Sequence, residues 1–351
     1  MMLFGKKDII GLDIGSKHIK VVQLKNNKDK FTLERLGISS LEPELIVDGS
    51  ILDSTRVIDS IKELIESTDI QTKDVTLSVS GHSSVIIKRV SLPQMSEDEL
   101  EESIRFEAEQ YIPFDIEDVN LDFQILGLAE TDNMMDVLIV AVKKDKINEY
   151  VSVVRDAGLE PVIVDVDAFA LENMYELNYE TSDESNVALV NIGASMININ
   201  ILKGGMSVFT RDSSVGGNLL TEALQREFTL SFQDAEKLIQ EEEIEGVSKD
   251  EASAVLNSAF TDIITEISRS FDYFRDTTNY ENIDEIILCG GVALTKNFVT
   301  LLSERVGIDA KIVEPFRNVD VPVSFDNEYI NSVAPIVSVA VGLAIRRIGD
   351  K

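Results

Sequence analysis

Two segments of this 351-residue chain resemble each other at an offset of about half of its length. Residues 13–25 (DIGSKHIKVVQLK) align without a gap on residues 191–203 (NIGASMININILK), with Ile, Gly, Ile, Leu and Lys identical. In each copy an apolar strand leads to an acid or amide, then a glycine, then a second strand. A repeat at this offset predicts two related lobes.

The two repeated turns have the composition of anion-binding loops. We expect Gly15 and Gly193 to allow tight turns and to leave backbone amides free to face an anion. Two such turns that face each other across a cleft would hold a polyphosphate from both sides. Either turn alone is equally typical of an ordinary β-hairpin, so the prediction depends on the two copies.

Composition narrows the classes of partner. The net charge of −31 disfavours nucleic acid, and it disfavours direct docking on anionic lipid. The single Cys289 rules out an internal disulfide and is typical of a reducing cytoplasm. One cysteine and two histidines form no cluster with metal-ligand spacing. No apolar run approaches the ~18 residues of a membrane span, so we expect no direct membrane insertion.

The periodicity of apolar residues predicts an α/β chain with a first lobe at 1–180 and a second lobe at 181–351. A strand, a helix, a strand pair and a further helix at about 84–161 belong to neither copy of the repeat, and they predict a small α+β subdomain inserted in the first lobe. The last predicted helix, about 333–347, has a face of small residues, and we expect it to pack back on the first lobe.

Two further glycine pairs stand where strands meet helices. Gly216-Gly217 precedes a predicted helix, whose amides and dipole would face an anion. Gly290-Gly291 follows a buried strand, where bare backbone would allow a base or ribose to lie close.

This order of turns resembles the actin, sugar-kinase and heat-shock chaperone superfamily of ATPases. Residues 13–17 and 191–195 are similar to its two phosphate loops, and residues 286–294 are similar to its adenosine loop. Within the superfamily the chain resembles the PilM family of type IV pilus assembly proteins over essentially its whole length. The segments that carry this resemblance are LPQMS (92–96), EL (99–100), EAEQYIPFD (107–115), AGLEP (157–161) and DVDAFAL (165–171).

The resemblance implies an actin-like fold, two related lobes with a nucleotide cleft between them, that binds ATP with Mg²⁺. The residues that it assigns to the nucleotide are Asp13, Gly15, Ser16, Lys17, Asn191, Gly193, Ala194, Ser195, Gly216, Gly217, Asn218, Glu236, Gly290, Gly291 and Val292, with Asp13 also on the metal side. Relatives have an aspartate where this chain has Asn191. They often also have a lysine a few residues after the position of Glu236, and this chain lacks that lysine. An amide adds no charge near Mg²⁺, so we expect ATP hydrolysis to be slow or absent.

The family resemblance also implies a cytoplasmic scaffold recruited to the inner membrane, where it binds the N-terminal cytoplasmic peptide of PilN. The PilN/PilO inner-membrane complex is the implied assembly, while contacts with pilus motor ATPases and a homo-oligomer stay open. We expect a groove between the insert and the first lobe, with Val85, Ile87, Tyr111 and Phe114 as its apolar wall.

Two alternatives remain open at this point. One is an FtsA-like filament-forming protein, although the C-terminus is too short for an amphipathic anchor. The other is a small-molecule kinase of the same superfamily, for which Asp165 or Asp167 would be the base. Both aspartates are also typical of strand ends and helix caps.

Overall fold

The computed structural model describes residues 9–27, 30–129, 131–278, 280 and 282–350. Its strands are β1 Ile10–Ile14, β2 His18–Asn26, β3 Phe31–Ser40, β4 Ile46–Val47, β5 Ser50–Ile51, β6 Asp74–Val79, β7 Val85–Pro93, β8 Val119–Leu128, β9 Met134–Lys143, β10 Glu160–Val166, β11 Asn186–Ile192, β12 Ile197–Lys203, β13 Met206–Ser213, β14 Glu285–Cys289, β15 Asp309–Ile312 and β16 Val319–Asp320. Its helices are α1 Ser54–Ser67, α2 Glu97–Ala108, α3 Lys144–Asp156, α4 Asp167–Asn178, α5 Asn218–Phe228, α6 Phe232–Ile239, α7 Lys249–Thr277, α8 Phe298–Val306, α9 Asn327–Val333 and α10 Ser338–Ile345.

Two sheets of the same topology form the two lobes. The first has the strand order β10-β6-β1-β2-β3-β16, and the second has the order β15-β14-β11-β12-β13. In each sheet the first strand of the repeat pairs antiparallel with the second and parallel with a later strand, β6 or β14. The predicted pair of related lobes is confirmed.

The repeat extends to single hydrogen bonds. The Gly15 amide donates to the carbonyl of His18 at 3.1 Å, and the Gly193 amide donates to the carbonyl of Met196 at 2.9 Å. These two glycine amides are therefore not among those left to face an anion, which stays a prediction for the turn residues 16–17 and 194–195. Each glycine amide closes its own hairpin, because a two-residue turn pairs the residues on either side of it.

A separate three-stranded sheet, β7-β9-β8, lies between β6 and α3. Helix α2 covers one face of it and begins with the predicted capping box, in which Ser96 and Glu99 exchange hydrogen bonds. Helix α3 packs instead on the first-lobe sheet, where Tyr150, Val153 and Val154 are buried. We therefore propose an insert of residues 85–143, shorter than the predicted 84–161.

Helices α4 and α10 join the two lobes by exchanging sides. Helix α4 follows the first sheet in sequence but packs on β12 and β13, and α10 follows the second sheet but packs on β1 and β2. The two helices also pack on each other. A Cβ on Gly342 of α10 would lie 1.7 Å from the Ala170 carbonyl oxygen of α4, so only glycine allows this approach.

The segment Asn327–Ile345 corrects the expectation that no run is long and apolar enough to span a membrane. It has 19 residues, and an 18-residue window within it has a mean hydropathy of 1.5, although 61% of that window is buried in the fold. It is also less regular than the predicted helix at 333–347. A short 3-10 helix at Ala334–Val337, which contains Pro335, separates α9 from α10.

Replacing Gly342 by alanine tests the close helix crossing. In a helix interior alanine is ordinarily more favourable than glycine by about 1 kcal/mol. At this position we expect the reverse, a loss of about 2 kcal/mol or more of unfolding free energy, because the added methyl group overlaps the Ala170 carbonyl. Urea unfolding measures this change in unfolding free energy, with Ser258→Ala on the exposed face of α7 as the control. A stabilised Gly342→Ala would contradict the crossing.

Candidate functional site

A cavity of about 370 Å³ lies between the lobes, where the two repeated turns meet. The residues assigned to the nucleotide line it with one exception, Gly216; those that do so are Asp13, Gly15, Ser16, Lys17, Asn191, Gly193, Ala194, Ser195, Gly217, Asn218, Glu236, Gly290, Gly291 and Val292. Residues from both copies of the repeat and from two separate glycine pairs thus converge in three dimensions.

Gly216-Gly217 supports the second turn rather than offering amides to an anion. The Gly217 amide donates to the Gly193 carbonyl at 2.8 Å, and the Asn218 amide donates to the Ala194 carbonyl at 2.7 Å. A Cβ on Gly216 would lie 2.6 Å from the Ala194 carbonyl oxygen. The expectation of free helix amides at this point is therefore wrong, because the second turn already uses them.

Polar side chains of the two lobes meet directly across the cavity. The hydroxyls of Ser16 and Ser195, which occupy nearly equivalent positions of the repeat, are 2.8 Å apart. Lys17 forms an ion pair with Glu236 of α6, and Glu236 also accepts a hydrogen bond from Thr221 at 2.7 Å. The first two of these contacts join the two lobes across the cavity.

The second glycine pair makes an open wall. Gly290 has a φ of +85°, which favours glycine, and a Cβ there would lie 2.3 Å from the Ile192 carbonyl oxygen. At Gly291, by contrast, no described atom lies within 4 Å of an added Cβ. Bare backbone at Gly291 therefore faces open space, as a flat ring lying against it would require.

Two residues that the sequence interpretation missed, Lys20 and His18, line the cavity near Asp13. Lys20 donates to Asp13 at 2.9 Å, since the two are cross-strand neighbours in the hairpin of β1 and β2. A hairpin register drawn from the repeat could have identified Lys20. His18 also lines the cavity, and burial together with nearby Lys20 and Lys17 lowers its pKa to about 4.

Asp167, the first residue of α4, lines the cavity as well. Burial and the charge of Asp13 raise its pKa to about 6, against the effect of the Ser78 hydroxyl, which donates to it at 2.5 Å. Asp165 lies elsewhere and forms a buried ion pair with Arg346 at 3.3 Å. Of the two candidate bases for a kinase, only Asp167 is at the cavity.

A nucleotide with a divalent cation fits these donors. Within the described residues no group of three His, Cys, Asp or Glu side chains can hold a metal by itself. Asp13 and Asp167 nevertheless offer carboxylates at the phosphate-loop side, and Mg²⁺ commonly combines one or two carboxylates with phosphate oxygens.

The hairpin of β4 and β5 closes one side of the cavity through Gly49. Lys146 and Tyr150 of α3 both donate to the Gly49 carbonyl, Tyr150 at 2.8 Å. Burial lowers the pKa of Lys146. Helix α3 follows β9 of the insert without a break, so the insert is connected to this wall by a rigid element.

The four residues predicted as the wall of a peptide groove do not share a surface. Val85 is buried in the first-lobe core, and Ile87 packs against the same core. Phe114 packs on the opposite face of the insert sheet, beside the buried Ile112, and Tyr111 is 37% exposed. Side chains alternate along a strand, so one face of the insert sheet is directed toward the first lobe. Ile87 of β7 and Val140 of β9, which pair with each other, lie on that face.

Comparison with known proteins gives a family and a fold. The family described as type IV pilus assembly protein PilM matches residues 11–348. The structure of a PilM–PilN type IV pilus biogenesis complex is similar at 27% identity, with a TM-score of 0.85, covering 97% of this chain and 99% of that one.

More distant structures share the fold alone. They include ethanolamine utilization protein EutJ from Carboxydothermus hydrogenoformans, at 14% identity and a TM-score of 0.58 (97% of this chain, 90% of that one). MreB5 of Spiroplasma citri bound to AMPPNP matches at 16% identity and a TM-score of 0.53 (96% and 95%). The predicted actin-like fold is confirmed.

The raised pKa of Asp167 predicts a pH dependence of stability. A carboxyl whose pKa is higher in the folded than in the unfolded protein binds more protons when folded, so stability falls as pH rises through about 6. Between pH 5 and 7.5 we expect the unfolding free energy of Asp167→Asn to fall by about 1 kcal/mol less than that of the wild type. Urea titrations at both values measure this. As a control, replacing the exposed Asp59 by asparagine should leave the pH dependence of the unfolding free energy as in the wild type. An Asp167→Asn profile parallel to that of the wild type would refute the raised pKa of Asp167.

Proposed function

The chain belongs to the PilM family of type IV pilus assembly proteins, and we propose that it is a cytoplasmic nucleotide-binding scaffold that captures the N-terminal peptide of PilN at the inner-membrane assembly platform. The observation that carries the nucleotide part is the convergence of both repeated turns and Gly290-Gly291 on one inter-lobe cavity. The partner is supported by similarity over 97% of the chain to the PilM–PilN complex.

ATP is the nucleotide that we propose. Ser16, Lys17 and Ser195 would contact the phosphates, the bare backbone at Gly291 would face the adenosine, and Glu236 would face the ribose. In the closed cleft Lys17 is paired with Glu236. Phosphates offer Lys17 a stronger anionic partner, so binding would replace this ion pair by contacts from both residues to one ligand.

Mg²⁺ would bind the phosphates beside Asp13. The cation polarises phosphate oxygens when it is bound. Asn191 contributes an amide instead of a carboxylate at this side of the cavity, which lowers the negative charge available to the metal. We therefore propose that nucleotide binding changes the conformation of a scaffold and that hydrolysis is slow.

The peptide site that we propose is the interface between the insert and the first lobe. Ile87 and Val140 are half-buried neighbours on the insert side, and Ile147 of α3 is half-buried on the first-lobe side. A few apolar side chains of an extended peptide would complete this surface, and the free edges of the insert sheet supply backbone groups.

Filling the cavity at Gly291 tests the nucleotide part. We expect Gly291→Val to weaken ATP binding about a hundredfold, because the side chain would enter the space of the ligand. The melting temperature of the ligand-free variant should stay near that of the wild type, since an added Cβ meets no described atom within 4 Å. Calorimetric titration with ATP and Mg²⁺ measures the affinity. Absence of ATP binding by the wild type would refute the proposal. ATP turnover by the wild type at ~1–10³ per second would mean that the protein is an enzyme and not a scaffold.

A charge at Ile87 tests the peptide site. A synthetic peptide of the PilN N-terminus should bind Ile87→Glu at least about tenfold more weakly than the wild type, since the carboxylate would be desolvated in an apolar groove. ATP affinity should not change. Lys88→Glu is the matched control, because Lys88 is the exposed neighbour on the other face of β7. Equal peptide affinity of the two variants would place the groove elsewhere.

A further inference from the structure

A row of hydrogen bonds leads from the cavity to a carboxylate outside it. The amide nitrogen Nδ2 of Asn191 donates to Oδ1 of Asn198 at 3.0 Å. Nδ2 of Asn198 donates to Oδ1 of Asp212 at 2.8 Å. The three residues are direct cross-strand neighbours on β11, β12 and β13. Asn191 lines the cavity and Asp212 does not.

Asp212 also connects this row to the first lobe. Its second oxygen, Oδ2, accepts the backbone amide of Gly81 at 2.7 Å. Gly81 opens the turn that leads from β6 into β7 of the insert. Both polar contacts of the Asp212 carboxylate are therefore with N–H donors, one of which is a backbone group that cannot turn.

The direction of the whole row follows from the carboxylate. Burial raises the pKa of Asp212, whereas its hydrogen bonds from Asn198 and Gly81 favour the ionised form. In that form the carboxylate only accepts hydrogen bonds, so Asn198 turns its NH₂ group toward Asp212 and its oxygen toward Asn191. Asn191 has to turn its NH₂ group toward Asn198, which leaves its own oxygen as an acceptor at the cavity wall. That oxygen lies beside Gly290, where an added Cβ would be only 2.9 Å from it.

We propose that Asp212 is a positioning residue of the nucleotide site, which acts through Asn198 to present the amide oxygen of Asn191 as an acceptor toward the water shell of a phosphate-bound cation. This inference rests on the proposed binding of ATP with Mg²⁺. It gives Asn191 a defined role without a charge, since the orientation of an amide is set by its partners.

Replacing Asp212 by asparagine should reverse the row. The Gly81 amide cannot turn, so the asparagine would keep its oxygen toward Gly81 and direct its NH₂ group at Asn198. Asn198 would then flip, and Asn191 would flip in turn and present NH₂ instead of oxygen to the cation. An aspartate at position 191 cannot present a donor, so Asn191→Asp should restore an acceptor in the variant with the reversed row.

The test compares ATP affinity with Mg²⁺ and with EDTA by calorimetry, alongside the melting temperature. We expect Asp212→Asn to reduce the gain in affinity from Mg²⁺ about tenfold while binding in EDTA is unchanged, and the double variant Asp212→Asn/Asn191→Asp to recover it. If Asp212→Asn does not fold, Asn198→Ala is the second variant. It keeps the contact between Asp212 and Gly81, and it should also lose part of the Mg²⁺ effect.

Four outcomes would overturn the inference, and the last of them would also refute the proposed function. An equal loss of affinity with and without Mg²⁺ would mean that Asp212 supports only the fold. An unchanged Mg²⁺ effect in Asp212→Asn, or no recovery in the double variant, would mean that the row does not orient Asn191. Absence of ATP binding by the wild type would instead refute the proposed function, and the inference with it.

Discussion

The close crossing of α4 and α10 is the contact on which the relative position of the two lobes depends. Gly342 brings α10 against the backbone of α4 at Ala170, and Gly11 of β1 allows α10 to approach the first sheet, since a Cβ on Gly11 would lie 2.2 Å from the Ala340 carbonyl oxygen. A single buried cluster then includes side chains of both sheets and both helices, among them Val22, Met174, Leu189 and Leu343. Packing at this density transmits small displacements, because well-packed interiors deform little.

The cavity is a consequence of this arrangement. Each sheet ends in a hairpin turn, and the shared core sets the distance at which the two turns face each other. Ser16 meets Ser195 and Lys17 meets Glu236 at that distance. Of these side chains Ser16, Ser195 and Lys17 are the ones that we propose to contact a polyphosphate.

The inserted subdomain is connected to the cavity at two points. Helix α3 continues from β9 and fixes Gly49 through Lys146 and Tyr150. Gly81, in the turn that leads from β6 into the insert, donates to Asp212 of the second lobe. A partner that moves the insert would act on both connections. These contacts give a physical route between the proposed peptide groove and the proposed nucleotide site.

The sequence by itself determined the two-lobed topology and the turns on which the cavity is built. Every residue that it assigned to the nucleotide except Gly216 lines the cavity, although these residues are less than half of the lining. The repeat at 13–25 and 191–203 encodes equivalent hairpins, and a glycine at a strand end is visible without coordinates. Local signals such as the capping box at Ser96 also predicted helix starts correctly, because their partners are three residues apart.

Only the tertiary structure decided which groups of those residues are free. The amides of Gly15, Gly193, Gly217 and Asn218 are used within the fold, and the helix that follows the insert packs on the first lobe. The predicted peptide wall combines residues from two faces of the insert sheet, because the sequence does not show which face of a strand meets a neighbouring core. Its role in peptide binding stays a prediction. Lys20 and Asn198 lie opposite Asp13 and Asn191 in local hairpins, a register that the repeat could have given. The hydrogen bond from Gly81 to Asp212 instead joins segments that are distant in sequence, and no local pattern specifies such a contact.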